Sequence, residues 1–454
     1  MSATGISAIE QGGSAAQSGT FLFYATFGLL MFGPLAFGAV EPWSIFLLEV
    51  GTAALFLLWS ARQVLHGELR MQWNPLFLPM GAFGLLIVVQ LVFHLTAYRH
   101  DTAAQALLYC AYGMLCFLAN QTLLRGSQAR KLALIFSVYG AVVAGFALLQ
   151  GISANGRLYW IRQPRMGGWI YGPYVNHNHY AGLMEMLAPI PLVLSLTQLA
   201  STRARMAAAS AAAVMVGTIF LSGSRGGMLA ILAELVILAV MMGKQRWGLR
   251  NAVGLGLFLA IVVALLSWLG GGELSLRIAT MGPAHTDITS DLRTHVNRDG
   301  LRMFLDKPVL GWGLGTFPVV YPQFRTFYTN FFVNEAHDDY LQLLVETGLL
   351  GFGTMIWFLV ALYRGTVKKI GNWTKDMSGA VALACFMGLS GILVHSVVDF
   401  NLQIPANAAL FYVLCTVAAS QAFARPARKR RAVSTRSAEA QPSPEALQQP
   451  ATNF

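Results

Sequence analysis

Gly311 to Gly351, GWGLGTFPVVYPQFRTFYTNFFVNEAHDDYLQLLVETGLLG, is the stretch around which the chain is organised. Its first half is glycine-rich and aromatic, and Pro318 and Pro322 forbid a long helix there. From Glu335 the pattern reads as the start of an apolar helix, with Asn334, Glu335, His337, Asp338 and Asp339 at its mouth. An Asn or Asp at that place is the expected N-cap, and acidic side chains suit the positive end of the helix dipole. His337 adds nothing to a cap. At the outer end of a membrane-embedded helix, a titratable imidazole is a catalytic candidate. Beyond it, Asp339, Gln342 and Glu346 make an i, i+3, i+7 polar stripe, which inside a membrane must face protein or water.

Composition supports the membrane setting. The 454 residues are 56% hydrophobic and only 11% charged, too apolar for a soluble protein of this size. Apolar runs long enough to span a bilayer fall at 21–40, 43–61, 76–95, 103–123, 131–152, 178–199, 206–222, 226–243, 250–270, 340–363, 377–398 and 405–424. The expected fold is therefore an all-α polytopic membrane protein with about 12 transmembrane helices. Most of the 31 Lys and Arg residues then fall on one side, in the loops around Arg62, Lys131, Arg205, Lys244 and Lys369 and in the tail from Arg425 to Arg436. Positive charge marks the cytoplasmic side, so both termini are expected inside. The net charge of +11 records this asymmetry and contact with anionic lipid, and makes no case for nucleic acid.

This topology divides the chain into a polar segment at 1–20, nine spans at 21–270, one large outer loop at 271–339, three spans at 340–424 and a basic, Pro/Gln/Ala-rich tail at 425–454 that reads as disordered. Residues 1–20 lack the basic region of a signal peptide. Cys110, Cys116, Cys385 and Cys415 lie in spans and read as small core residues. Gly28, Gly33, Gly38, Gly81 and Gly84 read as helix-contact positions. In the outer loop, residues 289–306 read as an amphipathic helix with Asp299, Arg302 and Asp306 on one face, packing over the spans as a lid.

Three outer segments carry chemistry. The loop at 153–177 holds Arg157, Arg162 and Arg165 without a single acid, against the positive-inside tendency. Its Tyr159, Trp160, Trp169, Tyr171 and Tyr174 suit a membrane interface or a sugar ring, and the bland alternative is an arginine loop snorkelling to lipid phosphates. It leads into Asn176 and His179; the His177/His179 pair lacks the further ligands a metal site needs. The turn Ser222–Gly227, SGSRGG, places Arg225 among glycines and serines at a helix start, as an anion-binding nest would. At the end of the eleventh span, His395 and Asp399 lie on the same outer side.

Outside the cytoplasm there is no nucleotide pool, so a transferase here must draw its activated donor from a lipid. A lipid pyrophosphate fits, because arginines bind phosphate oxygens in bidentate fashion and hold a leaving group's growing charge without a metal or other cofactor. A neutral His near pH 7 suits the remaining task, deprotonating the attacking hydroxyl.

NHNHYAGLMEM, SGSRGG, GWGLGTF, EAHDDYLQLLVETGLLG and HSVVDFNLQIPANA together resemble the O-antigen ligase family of bacterial polysaccharide enzymes, over about Asn176 to Ala408. The resemblance implies a metal-independent, membrane-embedded glycosyltransferase of the inner membrane with a large periplasmic loop. It would move a polysaccharide from undecaprenyl pyrophosphate to a sugar hydroxyl of lipid A–core, inverting at the anomeric carbon. His337 matches the family's essential periplasmic histidine and Arg225 its arginine in the small outer turn, while the loop arginine is Arg162 or Arg165. Many family members carry Asn where this chain has Asp338.

Polysaccharide polymerases of the same superfamily are the nearest alternative, since they use the same donor and differ in acceptor. A lipid-linked oligosaccharide transporter is a second; its ionisable groups would sit near the midplane rather than on one side, and no internal repeat is visible. A purely structural scaffold leaves His337 and the loop arginines without purpose.

Overall fold

The computed structural model describes residues 3–67, 69, 71–123, 126–163, 169–243, 288–329 and 332–420, with 253, 256, 257, 260 and 264 between them. The expected span at 250–270, the first part of the outer loop, the C-terminal tail and Arg165 lie largely or wholly outside these residues. Among the described residues the chain is helical, with only the isolated bridges Leu158–Arg162 and Tyr171–Tyr174 besides. Eight of the described helices are long and apolar enough to cross a membrane, and Gly19–Leu35, Phe77–Val92 and Pro405–Ala419 are shorter apolar helices. Each falls on one of the runs expected from the sequence.

The helices are α1 (Ala3–Leu35), α2 (Pro42–Leu65), α3 (Phe77–Val92), α4 (Arg99–Thr122), α5 (Gly126–Ile152), α6 (His177–Leu187), α7 (Pro189–Leu196), α8 (Thr202–Ser222), α9 (Arg225–Gly243), α10 (Ile288–Asp306), α11 (Asp339–Val367), α12 (Met377–His395) and α13 (Pro405–Ala419). The expected run at 178–199 is two helices rather than one, because Pro189 and Pro191 each remove a backbone donor. These two short helices form the centre: their apolar window is 94% buried, against 22% for the peripheral α2. Around them pack α5, α8, α9 and α12, while α3, α4, α11 and α13 form the neighbouring group. The outward faces keep Phe46, Leu57, Leu85, Leu134 and Val142 exposed, which suits hydrocarbon.

The opening stretch folds as a wedge against α11. Pro318 and Pro322 leave only single turns at Phe317–Val320 and Tyr321–Gln323. The helix begins at Asp339 rather than Glu335, since His337 takes a left-handed backbone (φ 55°) that no continuing helix permits. Asp338 is the N-cap, its Oδ1 accepting from the N–H groups of Tyr340 (2.9 Å) and Leu341 (3.0 Å). Helix α11 then breaks at Gly348, where φ is 62°. The break frees carbonyls that the GWGLG segment caps: Trp312 N–H donates to Val345 O (3.0 Å) and Gly313 N–H to Glu346 O (2.9 Å). In return Leu349 N–H donates to Pro308 O (2.8 Å). A Cβ at Gly348 would sit 2.3 Å from Val309 O, so sterics and φ both require glycine here.

The polar stripe is buried, as the membrane argument requires, with Asp339, Gln342 and Glu346 at 6%, 2% and 3% exposure. Glu346 accepts from the N–H of Gly315 (2.8 Å) and Phe317 (3.2 Å), fastening the wedge to the helix. Helix α10 packs on α11, and of its acidic residues Asp299 turns inward. That carboxylate is fully buried and accepts from Thr326 N–H (3.0 Å) and Thr326 Oγ1 (2.9 Å).

Other expectations are revised too. Cys110 is exposed, unlike Cys116, Cys385 and Cys415. Gly28, Gly81 and Gly84 have open space where a Cβ would go, whereas Gly33 meets Ala406 and Gly38 meets Tyr174 and Ile404. Tyr171 and Tyr174 are interior rather than interfacial: Tyr171 packs on Tyr180, and Tyr174 Oη donates to Asn407 Oδ1 (2.7 Å).

Candidate functional site

His337 projects from a strained backbone position that its neighbours over-determine. Ala336 N–H donates to Gln342 Oε1 (3.0 Å), Asp338 caps the helix, and Asp339 N–H donates to Ser396 O (2.9 Å). A left-handed conformation at a non-glycine residue costs of order 1 kcal/mol or more and persists only where surroundings enforce it, commonly at functional sites. The His337 ring packs edge-on against Phe400, centroids 4.8 Å apart. His179 meets the same Phe400 at the same separation, so Phe400 is a spacer between the two imidazoles.

Asp399 faces His337 from the turn after α12. Its Oδ1 lies 3.9 Å from His337 Nδ1, an electrostatic contact rather than a hydrogen bond. Oδ2 accepts from Asn178 Nδ2 (2.5 Å) and lies 3.7 Å from the Arg293 guanidinium, which also donates to Val398 O (2.9 Å). Asp399 is 1% exposed. Burial alone would raise its carboxyl; His337, His179, His395 and Arg293 reverse that and hold it well below the carboxylate range. His337 Nδ1 is buried on this side while the side chain is 29% exposed, so the accessible edge of the ring points away from Asp399.

Asn176, Asp338 and His395 lie around this pair. Asn176 N-caps α6 through Asn178 N–H (2.8 Å) and brings Nδ2 to 3.4 Å from His179 Nε2. Asp338 is occupied by its cap; burial pushes its carboxyl up and the two cap N–H groups pull it partly back. Glu335, half-buried beside Gln342, is pushed up to about 8 by burial, with Glu346 and Asp339 adding to the shift. His395 stands below Asp399, its carbonyl accepting from Asp399 N–H (3.1 Å).

Arg225 is exposed as the first residue of α9, following a left-handed Gly223 (φ 73°). Ser224 Oγ accepts from Gly227 N–H (3.1 Å), a helix cap, so the turn is built as a helix N-terminus. Its glycines are steric necessities, since a Cβ at Gly226 would lie 2.4 Å from His395 Nε2 and one at Gly227 2.8 Å from Ala181 Cβ.

The loop arginines are placed differently. Arg162 is ion-paired with Glu41 and lies over the Phe37 ring, 4.3 Å from its centroid. That clasp joins two left-handed turns, Phe37–Ala39 and Tyr159–Trp160, with Tyr159 Oη donating to Leu35 O (2.6 Å). Arg157 is exposed nearby on the same loop. Neither is drawn into the Asp399 cluster by the contacts just described. Arg293, Asn178 and Phe400 are the residues that sequence reasoning missed. Asn178 and Phe400 sat inside motifs already singled out, while Arg293 carried no local signal.

An apolar cavity of ≈ 440 Å3 adjoins the site between α3, α4, α11 and α13. Phe83, Cys110, Tyr112 and Phe358 line it, and Asp339, with Gln403 bonded to it at 3.2 Å, lies at its polar end, next to the start of the His337 helix. Among the described residues, no group of three or more His, Cys, Asp and Glu is arranged to hold a metal ion.

No curated protein matches the chain. Residues 210–356 match the family model described as O-antigen ligase (Wzy_C), a segment running from α8 through the Arg225 turn to His337 and the broken α11. Over residues 210–356 the chain is thus similar to the O-antigen ligase family, and eight of its described helices are long and apolar enough to cross a membrane.

Proposed function

We propose that the chain is an O-antigen ligase that transfers a polysaccharide from undecaprenyl pyrophosphate to a sugar hydroxyl of lipid A–core at the periplasmic face of the inner membrane. The carrying observation is His337, half-exposed in an enforced left-handed conformation, with the buried Asp399 carboxylate behind its Nδ1. This arrangement supports reading His337 as a general base with Asp399 as its electrostatic partner.

In this reading Nε2 of His337 takes the proton from the acceptor hydroxyl. The resulting oxygen attacks the anomeric carbon from the face opposite the pyrophosphate, the carbon–oxygen bond to pyrophosphate breaks, and configuration inverts. Asp399 stabilises the imidazolium as it forms. Arg225 holds the leaving pyrophosphate at the start of α9, and Arg293 adds a second cation at the rim, so no metal is required. Arg162 and Arg157, with Arg165, steer the donor from the neighbouring loop. The apolar cavity receives isoprenoid units of the donor, which is consistent with its lining and its polar end.

The family match suits a ligase and a polymerase of the same superfamily equally. Purified protein, given lipid-linked glycan and lipid A–core in EDTA, separates them. Glycan attached to lipid A–core is the expected product. Glycan that lengthens on its own carrier, leaving lipid A–core untouched, makes the chain a polymerase. Intact glycolipid binding with neither product reopens the transporter reading.

A further inference from the structure

One titratable pair remains outside the mechanism. Glu185, in the last turn of α6, and His395, the last residue of α12, are both fully buried, with Nδ1 of His395 3.1 Å from each carboxylate oxygen of Glu185. An acid and an imidazole inside a bundle are costly and are retained where they fix one arrangement. The ring lies flush against Gly226: a Cβ there would come within 2.2 Å of its Cδ2. The same residue begins the turn that carries Asp399, because the carbonyl of His395 accepts from the N–H of Val398 (2.9 Å) and Asp399 (3.1 Å). The next residue, Ser396, holds the start of the His337 helix through its carbonyl to Asp339 N–H (2.9 Å) and its Oγ to Asp339 Oδ2 (2.7 Å). The ring of His395 thus touches the Arg225 turn, while its backbone carbonyl and the adjoining Ser396 anchor Asp399 and Asp339. Two backbone approaches tighten the frame: Gly388 of α12 lies where a Cβ would be 3.0 Å from Glu185 O, and Gly391 where one would be 2.2 Å from Glu234 Oε1.

We infer that the Glu185–His395 pair is a positioning clamp that holds the leaving-group turn at Arg225 and the base assembly at His337–Asp399 in one register. It touches no substrate. It fixes the spacing between the site where pyrophosphate departs and the site where the hydroxyl is activated, and misplacement by about 1 Å across such a span costs roughly 100-fold in turnover. Glu185 supplies the constraint by holding the ring through Nδ1, and Gly226 supplies it by leaving no room for the ring to rotate.

The catalytic consequence rests on the transferase reading; the mechanical one does not, and the test uses both. In full-length protein, Glu185→Ala, Glu185→Gln, His395→Ala and His395→Asn are compared, the Asn amide nitrogen taking the place of Nδ1. Amide hydrogen exchange is expected to rise at residues 222–228 and 396–403 together in the alanine variants, and to stay near wild type in Glu185→Gln, whose amide oxygen still accepts from Nδ1 with the ring in place. In the transfer assay, kcat per folded molecule falls roughly 10- to 100-fold in the alanine variants, KM for acceptor stays within about threefold, and Glu185→Gln keeps most of the rate. In the alanine variants, exchange rising at only one of the two segments, or kcat per folded molecule unchanged in His395→Ala, overturns the clamp. If the alanine variants fail to fold, His395→Asn decides it through the Gly226 contact it loses: exchange rising at 222–228 with kcat reduced is expected, and unchanged exchange with wild-type kcat overturns the clamp. A wild-type protein without transfer activity refutes the functional reading, and the exchange pattern then judges the clamp alone.

Discussion

Replacing Asp399 with Asn isolates what the buried carboxylate does. Asn keeps the shape and can still accept from Phe400 N–H, which now donates to Oδ1 at 2.8 Å. What disappears is a negative charge 3.9 Å from His337 Nδ1, and with it the acceptor for Asn178 Nδ2, whose amide turns over to present its oxygen to the new NH2. At an effective dielectric of about 20, unit charges at that separation attract by about 4 kcal/mol. Arg293 offsets part of this from 3.7 Å, and solvent at the partly exposed imidazole screens more. About 2 kcal/mol is left, or roughly 30-fold in rate. The attraction exists only once His337 has taken a proton, so the loss belongs to the transition state. It appears in kcat, with KM for donor and acceptor nearly unchanged. Single-turnover transfer in detergent, with melting temperature measured alongside, reads this directly. A well-folded Asp399→Asn protein with wild-type kcat would refute the orienting role. So would a loss carried entirely by donor KM.

Three further outcomes follow from the same geometry. Arg225→Lys keeps the charge but loses the planar fork, so donor KM rises about tenfold while acceptor KM holds; equal effects on both substrates would argue against pyrophosphate contact. Gly348→Ala forces a Cβ to 2.3 Å from Val309 O at φ 62° and destabilises by about 2 kcal/mol or more, read as a lower midpoint in thermal unfolding. Glu335 concerns pH: its acid is raised from 4.5 to about 8, so the folded state keeps a proton that the unfolded chain has already lost between those values. Stability therefore falls as pH rises through that window, and Glu335→Gln flattens the fall; a pH–melting curve that is unchanged by the substitution contradicts the shift.

Much of this was legible in the chain because its signals are local. Apolar runs placed the helices, and the cluster before Tyr340 announced a cap that Asp338 provides. The stripe of Asp339, Gln342 and Glu346 had to be shielded, and it is. The break at Gly348 was not legible, since a glycine in an apolar helix carries the same letter whether it kinks or merely packs. Nor did sequence show that Arg162 would be drawn to Glu41, 121 positions earlier, or that Arg293 would reach Asp399. Glu185 did carry a signal, an acid amid apolar residues, but its partner lies 210 positions away. Periodicity tells which face of a helix is buried and says nothing of which distant side chain it meets. Cys110 shows the converse: apolar context pointed to a core, whereas the helix turns that side chain toward the cavity.

The most direct test of the central claim is transfer of lipid-linked glycan to lipid A–core by His337→Ala, in EDTA, at matched folded concentration. General-base catalysis typically contributes 100- to 10,000-fold, so the variant should retain donor binding and lose turnover by about that factor. Turnover within a few-fold of wild type would remove His337 from the chemistry and, with it, the role assigned to Asp399.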